Sequence, residues 1–358
     1  MTTTALPRGG TLRRVAELLT TPLLPADYLD LVNPLRAGAQ LRGRIVDVRP
    51  ETPDAATLVI RPGRGWRAHD AGQYVRLGVD VDGVRQWRAY SLTSPAAGRP
   101  DRCITVTVKA IPDGTVSNHL VRRIRPGALV QLGQATGEFT LPATAPAKVL
   151  FLTAGSGITP VIGMLRSSLD RLRDVLVLHS APTGADVIFG SELRLLARAG
   201  RIRLVERHTD RDGMLDVAEL GDLVPDLAER ETWACGPTGL LNAVEEHFAG
   251  AGLTHRLHTE RFRPTVIAIG EGGEASYTRS GVTVEADGAT TLLDAGEAAG
   301  VLMPSGCRMG ICFGCVLPLR EGAVRDLRNG ELTTAAPGDG VLVQTCVSAV
   351  AGRCELEI

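Results

Sequence analysis

The sequence predicts a multidomain chain of β, α/β and α+β parts in that order: an antiparallel barrel, a doubly wound parallel sheet and a small strand-rich module. Three observations predict it. Short β-rich runs alternate with turns up to residue 141, strands then alternate with helices up to residue 262, and residues 277–358 are short strands around a cysteine-rich loop.

The 358 residues, 44% of them hydrophobic, are enough to fill two or three cores, and no low-complexity segment argues for disorder. A net charge of −1 leaves no electrostatic footprint for nucleic acid. The charge is uneven, however: residues 264–358 carry 12 acidic and 6 basic side chains, a net charge of −6, which leaves +5 on the rest. No apolar stretch reaches the ~18 residues that a spanning helix needs. The N-terminus has Arg8, Arg13 and Arg14 but no apolar core of a secretory signal. We therefore expect a cytoplasmic protein, with any peripheral membrane association coming through its partner or, as the lesser alternative, through a surface contact of the N-terminal segment. Seven cysteines in such a chain point to metal or redox chemistry before disulfides.

Residues 1–40 read as an extension, with a short amphipathic helix over Thr11–Thr20 followed by Pro22, Pro25 and Pro34. The barrel is expected over 41–143, with strands at Gly43–Val48, Thr57–Arg61, Tyr74–Val81, Arg85–Leu92, Ile104–Lys109 and Leu129–Leu132, and one helical segment near Ser117–Ile124. The α/β part covers 144–263. Its buried strands are expected at Lys148–Thr153, Val175–His179, Ile202–Glu206 and Thr232–Cys235. Helices fall near Ile158–Arg171, Ser191–Ala199 and Gly239–Gly250. Gly270, Gly272 and Gly273 mark 264–276 as a linker, and 277–358 form the last module.

Cys307, Cys312, Cys315 and Cys346 are spaced C-x4-C-x2-C, then 30 residues, then C. This is the spacing by which three thiolates of one tight loop and a fourth from a distant strand end hold a plant-type [2Fe–2S] cluster. Gly306, Gly310 and Gly314 let backbone N–H groups turn toward the sulfurs. A structural zinc site favours two C-x2-C pairs where here there is one, and disulfides would not require this spacing. Cys103 and Cys354 fall outside the pattern and read as buried small hydrophobes.

In the barrel region, Arg88, Tyr90 and Ser91 lie in the run Arg-Ala-Tyr-Ser-Leu-Thr-Ser. Arg88 and Tyr90, two apart on a strand, share a face and offer a cation for a phosphate and a flat surface for a flavin ring, with Ser91 near the ring edge. Gly114, Thr115, Val116 and Ser117 form a turn before a helix, whose free N–H groups suit a diphosphate. Alone, a strand tyrosine is usually core and this turn usually a plain cap. Lys109, ending its strand run, is counted with the cofactor-binding residues.

The run from Leu150 to Pro160 reads strand, glycine turn, helix start. Gly155 and Gly157 let the backbone approach a pyrophosphate, Thr159 follows, and Pro160 suits a first helical turn. A simple tight turn would look similar. Cys235, Gly236 and Pro237 end one strand and open another helix, which would put Cys235 beside a nicotinamide or leave it a buried structural cysteine.

Together these runs resemble the ferredoxin–NADP reductase superfamily over nearly the whole chain. Arg88-x-Tyr90-Ser91 looks like the family's flavin motif, and Gly114–Ser117 resembles its flavin-phosphate segment, in a form closer to FAD-binding than to FMN-binding members. Gly137-Glu138-Phe139 with Leu141-Pro142 is similar to its domain-closing segment. Gly155-x-Gly157-x-Thr159-Pro160 and Cys235-Gly236-Pro237 look like its nicotinamide motifs. Glu260-Arg261-Phe262 resembles the segment that sets an acid and an aromatic ring against the flavin. The order of modules is that of oxygenase reductases with a C-terminal ferredoxin, which implies a flavin-binding barrel, a nucleotide-binding sheet and a β-grasp module. It also implies FAD, a [2Fe–2S] cluster and NADPH or NADH as cofactors. Tyr90, Ser91, Cys235, Glu260 and Phe262 would then surround the reacting rings.

Leu31-Val32-Asn33-Pro34-Leu35 looks most like actinobacterial members that serve membrane fatty-acid desaturases. The expected acceptor is such a desaturase or a related diiron oxygenase. The alternatives are a soluble Rieske, cytochrome P450 or epoxidase oxygenase and, from another class, a redox-sensing module. No arginine follows the second α/β strand in His179-Ser180-Ala181-Pro182-Thr183 to grip a 2′-phosphate, which leaves Arg194 or Arg198 for that task.

Overall fold

The computed structural model describes residues 33–36, 40–96, 101–112, 114–262, 268–306, 308–310 and 313–358. The helix expected at Thr11–Thr20, Leu31 and Val32 of the segment Leu31–Leu35, Cys307 and Cys312 lie outside these residues.

Six strands form the first sheet: β1 (Arg42–Thr52), β2 (Ala55–Pro62), β3 (Tyr74–Val81), β4 (Val84–Ser91), β5 (Ile104–Lys109) and β6 (Leu129–Leu132). They run in the order β4-β3-β6-β1-β2-β5 with every pairing antiparallel. The chain just past β4 closes the barrel on β5, where Leu92 bridges Val106 and Thr93 N–H donates to Thr105 O at 2.8 Å. Closure removes the open edge. Ile45, Leu58, Leu77, Val106 and Leu120 fill the interior. The helical segment is α-helical over Thr115–Asn118 and a wider π turn over His119–Arg123.

The second sheet is parallel: β7 (Lys148–Ala154), β8 (Asp174–Ala181), β9 (Arg203–His208), β10 (Glu231–Cys235) and β11 (Leu257–Glu260), in the order β11-β10-β7-β8-β9. Both faces are covered. Val149 and Phe151 point into one apolar cluster, Leu150 and Leu152 into another, which is why these strands read as unbroken apolar runs. Each such side chain, taken from water, contributes about 1.5–3 kcal/mol. Strand order reverses between β7 and β10, so a crevice opens beyond their C-terminal ends. The sequence reading lacked β11, whose residues Leu-His-Thr-Glu carry no apolar run because this short strand sits at the sheet edge.

The third sheet comprises β12 (Gly272–Tyr277), β13 (Val282–Ala286), β14 (Val316–Asp326), β15 (Leu332–Ala335), β16 (Leu342–Gln344) and β17 (Ser348–Leu356). Its order is β13-β12-β17-β14-β15, with β16 paired to β14. Only β12 and β17 are parallel, and the helix Leu292–Ala298 crosses over their core. β12 begins inside the segment expected to be linker. Gly272 and Gly273 have φ of +74° and +130°, and a Cβ on Gly273 would lie 1.7 Å from Gly352 O. These glycines serve close strand contact rather than slack.

Candidate functional site

One cavity of about 730 Å³ lies where the three sheets meet, a size suited to a large nucleotide cofactor. The barrel contributes Tyr74, Arg88, Tyr90, Ser91, Thr107 and Lys109. Arg88 and Tyr90 stand on the same face of β4, as their spacing requires. Arg88 donates to Trp87 O at 2.8 Å, and among the described residues no carboxylate pairs with it. Burial, with the nearby positive Arg308, lowers its pKa to about 10, while Glu297 and Asp294 pull the other way. A cation held this way lacks an anion. Burial raises the Tyr90 phenol, against the charge of Arg88. Ser91 Oγ is buried and has no hydrogen-bond partner among the described residues, the state expected of a donor kept for a ligand. Lys109 pairs with Asp54 at 2.6 Å on the cavity wall.

Gly114, Thr115, Val116 and Ser117 form the next stretch of wall. The turn is tight: a Cβ on Gly114 would meet both Ile111 Cγ1 and Ser117 Oγ at 2.5 Å. Ser117 Oγ donates to Gly114 O and accepts from Ile111 N–H, which fixes the turn.

From the second sheet come Ser156, Thr159, Glu260, Arg261 and Phe262. Gly155 takes φ +54°, turning the chain after β7 into the helix Ile158–Ser168. A Cβ on Gly157 would stand 2.0 Å from Cys235 O, so the turns after β7 and β10 approach as closely as backbones can. Gly236 packs on Ala154, and Pro237 caps the helix Thr238–Gly250. Thr159 Oγ1 donates to Ser156 O at 2.9 Å, and Pro160 is buried in the same first turn.

Cys235 is fully buried in the core under the crevice and lies beneath the cavity wall rather than on it. Burial, and then the charge of Glu260, push its thiol up. Burial alone raises the Glu260 carboxyl to about 8, and its Oε2 has no hydrogen-bond partner among the described residues. Phe262 is 38% exposed at the cavity rim. Arg194, a candidate for a 2′-phosphate, donates to Glu206 at 2.9 Å and to Gly184 O at 3.0 Å.

The third sheet supplies a wall that the sequence reading did not foresee: Thr291, Leu293, Asp294, Glu297, Arg308 and Cys346. Thr291 caps its helix by accepting from Asp294 N–H, and Arg308 ion-pairs with Asp294 at 3.0 Å and with Glu297. Arg308 sits beside Cys307 in the cysteine motif, but nothing in the sequence says that it faces Arg88. Cys315 and Cys346 are both buried, and Thr345 ties their segments by two hydrogen bonds to Cys315 O at 3.2 and 2.9 Å. Arg308, Gly310 and Phe313 all have positive φ, so the described part of the loop is tightly wound. Gly310 O accepts from Arg328 and Gln344, both at 3.0 Å. Cys103 and Cys354 are buried, the latter in the same apolar cluster as Cys315 and Cys346.

These walls define a three-module redox protein, with a flavin barrel, a nucleotide crevice and an iron–sulfur module around one space. The chain matches an oxidoreductase FAD-binding domain over residues 68–141, an oxidoreductase NAD-binding domain over 151–246 and a 2Fe-2S iron-sulfur cluster binding domain over 277–351. It is 52% identical to an NADPH oxidoreductase of Mycobacterium tuberculosis, over 98% of this chain and 93% of that protein. It is 32% identical to a stachydrine N-demethylase reductase subunit of Rhizobium meliloti, over 83% and 91%. The solved structure of a phthalate dioxygenase reductase superposes with a TM-score of 0.62 at 21% identity, over 89% of this chain and 98% of that one, and shares the fold. The chain belongs to the ferredoxin–NADP reductase superfamily, in the branch with a C-terminal 2Fe-2S domain. It is an oxidoreductase whose cofactors are FAD, a [2Fe–2S] cluster and a nicotinamide nucleotide.

Proposed function

We propose that the protein oxidises NADPH and delivers electrons singly, through the flavin and a cluster on Cys307, Cys312, Cys315 and Cys346, to an oxygenase or desaturase component. The observation that carries this reading is that Arg88, Glu260 and Cys346 face one cavity. Bound flavin supplies the conversion between a two-electron hydride and single electrons. Arg88 holds a flavin phosphate, and the Gly114–Ser117 turn receives the diphosphate. Tyr90 and Phe262 flank the ring system, and Ser91 Oγ donates to its edge. Lys109, paired with Asp54, closes the wall beside them.

The Gly155–Gly157 turn takes the nucleotide pyrophosphate at the start of a helix, where the dipole favours anions. Thr159, Cys235, Gly236, Pro237 and Glu260 shape the floor on which the nicotinamide lies, and Pro160 stiffens the first helical turn. Cys346 sets the cluster against the same cavity, so electrons leave over a short path.

NADPH is favoured by the name of the mycobacterial relative. A membrane fatty-acid desaturase is favoured by the resemblance of Leu31–Leu35. A soluble oxygenase is the second reading, favoured by relatives named as reductases of a demethylase and of glycine betaine monooxygenases. Among the described residues no helix is long and apolar enough to cross a membrane.

Anaerobic titration with NADPH and with NADH, followed optically and by EPR, tests the path. NADPH should bleach the flavin and raise a reduced-cluster signal; a loaded protein that neither nucleotide reduces refutes it. Reconstitution with desaturase-containing membranes and with a soluble Rieske oxygenase then separates the acceptors by which product forms.

A further inference from the structure

A row of oxygens runs along the outer face of the barrel wall, from the flavin cavity to a second cavity of about 340 Å³. Thr107 on β5 lines the first cavity, and its Oγ1 lies 2.7 Å from Thr57 Oγ1 on β2, its register partner. Thr57 Oγ1 donates to Glu51 Oε1 at 2.6 Å. Glu51, near the end of β1, lines the second cavity with Arg166, Glu192 and Arg194. Thr93 and Thr105 flank the row, with Thr93 Oγ1 2.7 Å from Thr105 Oγ1 and 3.5 Å from Thr107 Oγ1.

These hydroxyls are not required by the barrel core. On β5, Ile104, Val106 and Val108 fill that core, while Thr105 and Thr107 stand on the opposite face, where valine would have the same shape. The row also has a direction. A hydroxyl carries one hydrogen, and that of Thr57 goes to Glu51, so in the Thr57–Thr107 pair Thr107 is the donor. Both hydrogen bonds therefore point from the flavin cavity toward Glu51, and Thr107 keeps a lone pair to receive a further proton.

We propose that Thr107, Thr57 and Glu51 form the exit path for the proton released whenever a nicotinamide is oxidised at this cavity. The proposal rests on the flavin occupying the first cavity. Oxidation of NADPH yields NADP+, two electrons and one proton. The electrons leave singly through the cluster, so the hydrogen nucleus of the hydride must leave separately. Thr107 takes that proton while passing its own hydrogen to Thr57, and Thr57 passes its own to Glu51. Each oxygen forms one O–H bond and breaks one, and the Glu51 carboxyl returns the proton to water in the second cavity. Burial raises the Glu51 carboxyl above its ordinary value, against the Thr57 hydrogen bond, which suits a group that both takes and gives protons. The charges around it are Arg166, Glu192 and Arg49. Arg166 is bound to Glu192 at 2.6 Å and Arg49 to Asp47 at 2.6 Å, so none neutralises Glu51 outright.

The test uses flavin- and cluster-loaded protein with Thr57→Val, Thr57→Ser and Glu51→Gln. Redox-triggered infrared difference spectra should show a carboxyl band in the wild type that vanishes in Glu51→Gln and Thr57→Val and survives in Thr57→Ser. Proton release to an indicator dye after one NADPH pulse should slow by about 100-fold in Thr57→Val, the low end of what positioned proton transfer contributes. A Thr57→Val protein with wild-type flavin content and wild-type proton release refutes the path, as does a band that survives Glu51→Gln. Should Thr57→Val fail to hold flavin, Glu51→Gln against Thr57→Ser decides by the same two readouts. Unchanged flavin affinity in Arg88→Ala would instead remove the flavin from this cavity, and the path with it.

Discussion

Cys235 and Glu260 stand opposite each other on adjacent parallel strands, each the last residue of its strand, the cysteine buried and the glutamate half-buried with its Oε2 out of reach of water. With its pKa near 8, Glu260 is protonated in the folded protein over a range in which it is ionised in the unfolded chain. The folded state therefore holds the extra proton between about pH 4.5 and 8, and stability falls as pH rises through that window. Glu260→Gln should remove a penalty of about 3–5 kcal/mol above pH 8 and change little below pH 4.5. Urea unfolding at pH 5 and pH 9 measures it. The same variant should slow reduction by the nucleotide, because it alters the floor of the crevice.

Arg88→Ala should weaken flavin binding while leaving the barrel folded. A charge-assisted hydrogen bond contributes about 1.5–3 kcal/mol, so the flavin dissociation constant should rise by roughly 10- to 150-fold. Fluorescence titration of flavin-free protein gives the number. Arg88→Lys should recover only part, since a single ammonium lacks the planar fork.

Gly157→Ala places a methyl group 2.0 Å from Cys235 O, backbone against backbone. The two turns must part, at a cost of about 1–3 kcal/mol, and the pyrophosphate site opens with them. Weakened nucleotide binding with normal flavin content, read by calorimetry and absorbance, is the expected pattern.

Arg230 is buried and binds Asp226 through two hydrogen bonds, Asp174 at 2.9 Å and Val149 O at 3.0 Å. It ties β7 and β8 to the turn before β10. Arg230→Ala leaves these acceptors without their shared cation and should cost about 3–5 kcal/mol in thermal or denaturant unfolding. In the wild type Asp226 is held well below the ordinary carboxylate range, chiefly by Arg230. Its contribution is present above the unfolded value and fades as pH falls through the folded one.

Cys346→Ser should abolish reduction of cytochrome c, which draws single electrons from the cluster, and spare reduction of ferricyanide by the flavin. Loss of both activities in a protein that retains its flavin would overturn the order of the electron path.

What the sequence disclosed followed from how local each signal is. The cluster spacing, the Arg88–Ser91 run and the strand–glycine–helix turn at Gly155 are contiguous, so chemistry and position arrive together. The wall made by Thr291, Glu297 and Arg308 was illegible because it depends on how one module sits on another. β11 was missed since an edge strand of Leu-His-Thr-Glu carries no periodicity, although it is the strand that sets Glu260 against Cys235. The glycines at 272 and 273 looked like flexibility because composition cannot distinguish slack from close approach. Phe189, at φ +60°, begins the helix Gly190–Arg198 without any of the residues that usually announce one.

A cavity walled by Tyr74 at one end of the chain's order and Cys346 at the other has a consequence for biogenesis. Domains emerging from the ribosome fold in turn, first the barrel, then the nucleotide sheet. At that stage the nascent chain presents an open trough bordered by Arg88 and the Gly114 turn. The wall that carries Thr291, Glu297, Arg308 and Cys346 has yet to be translated. The flavin site is therefore completed only when the last sheet forms, so its affinity for flavin is a property of the finished chain and not of the barrel alone.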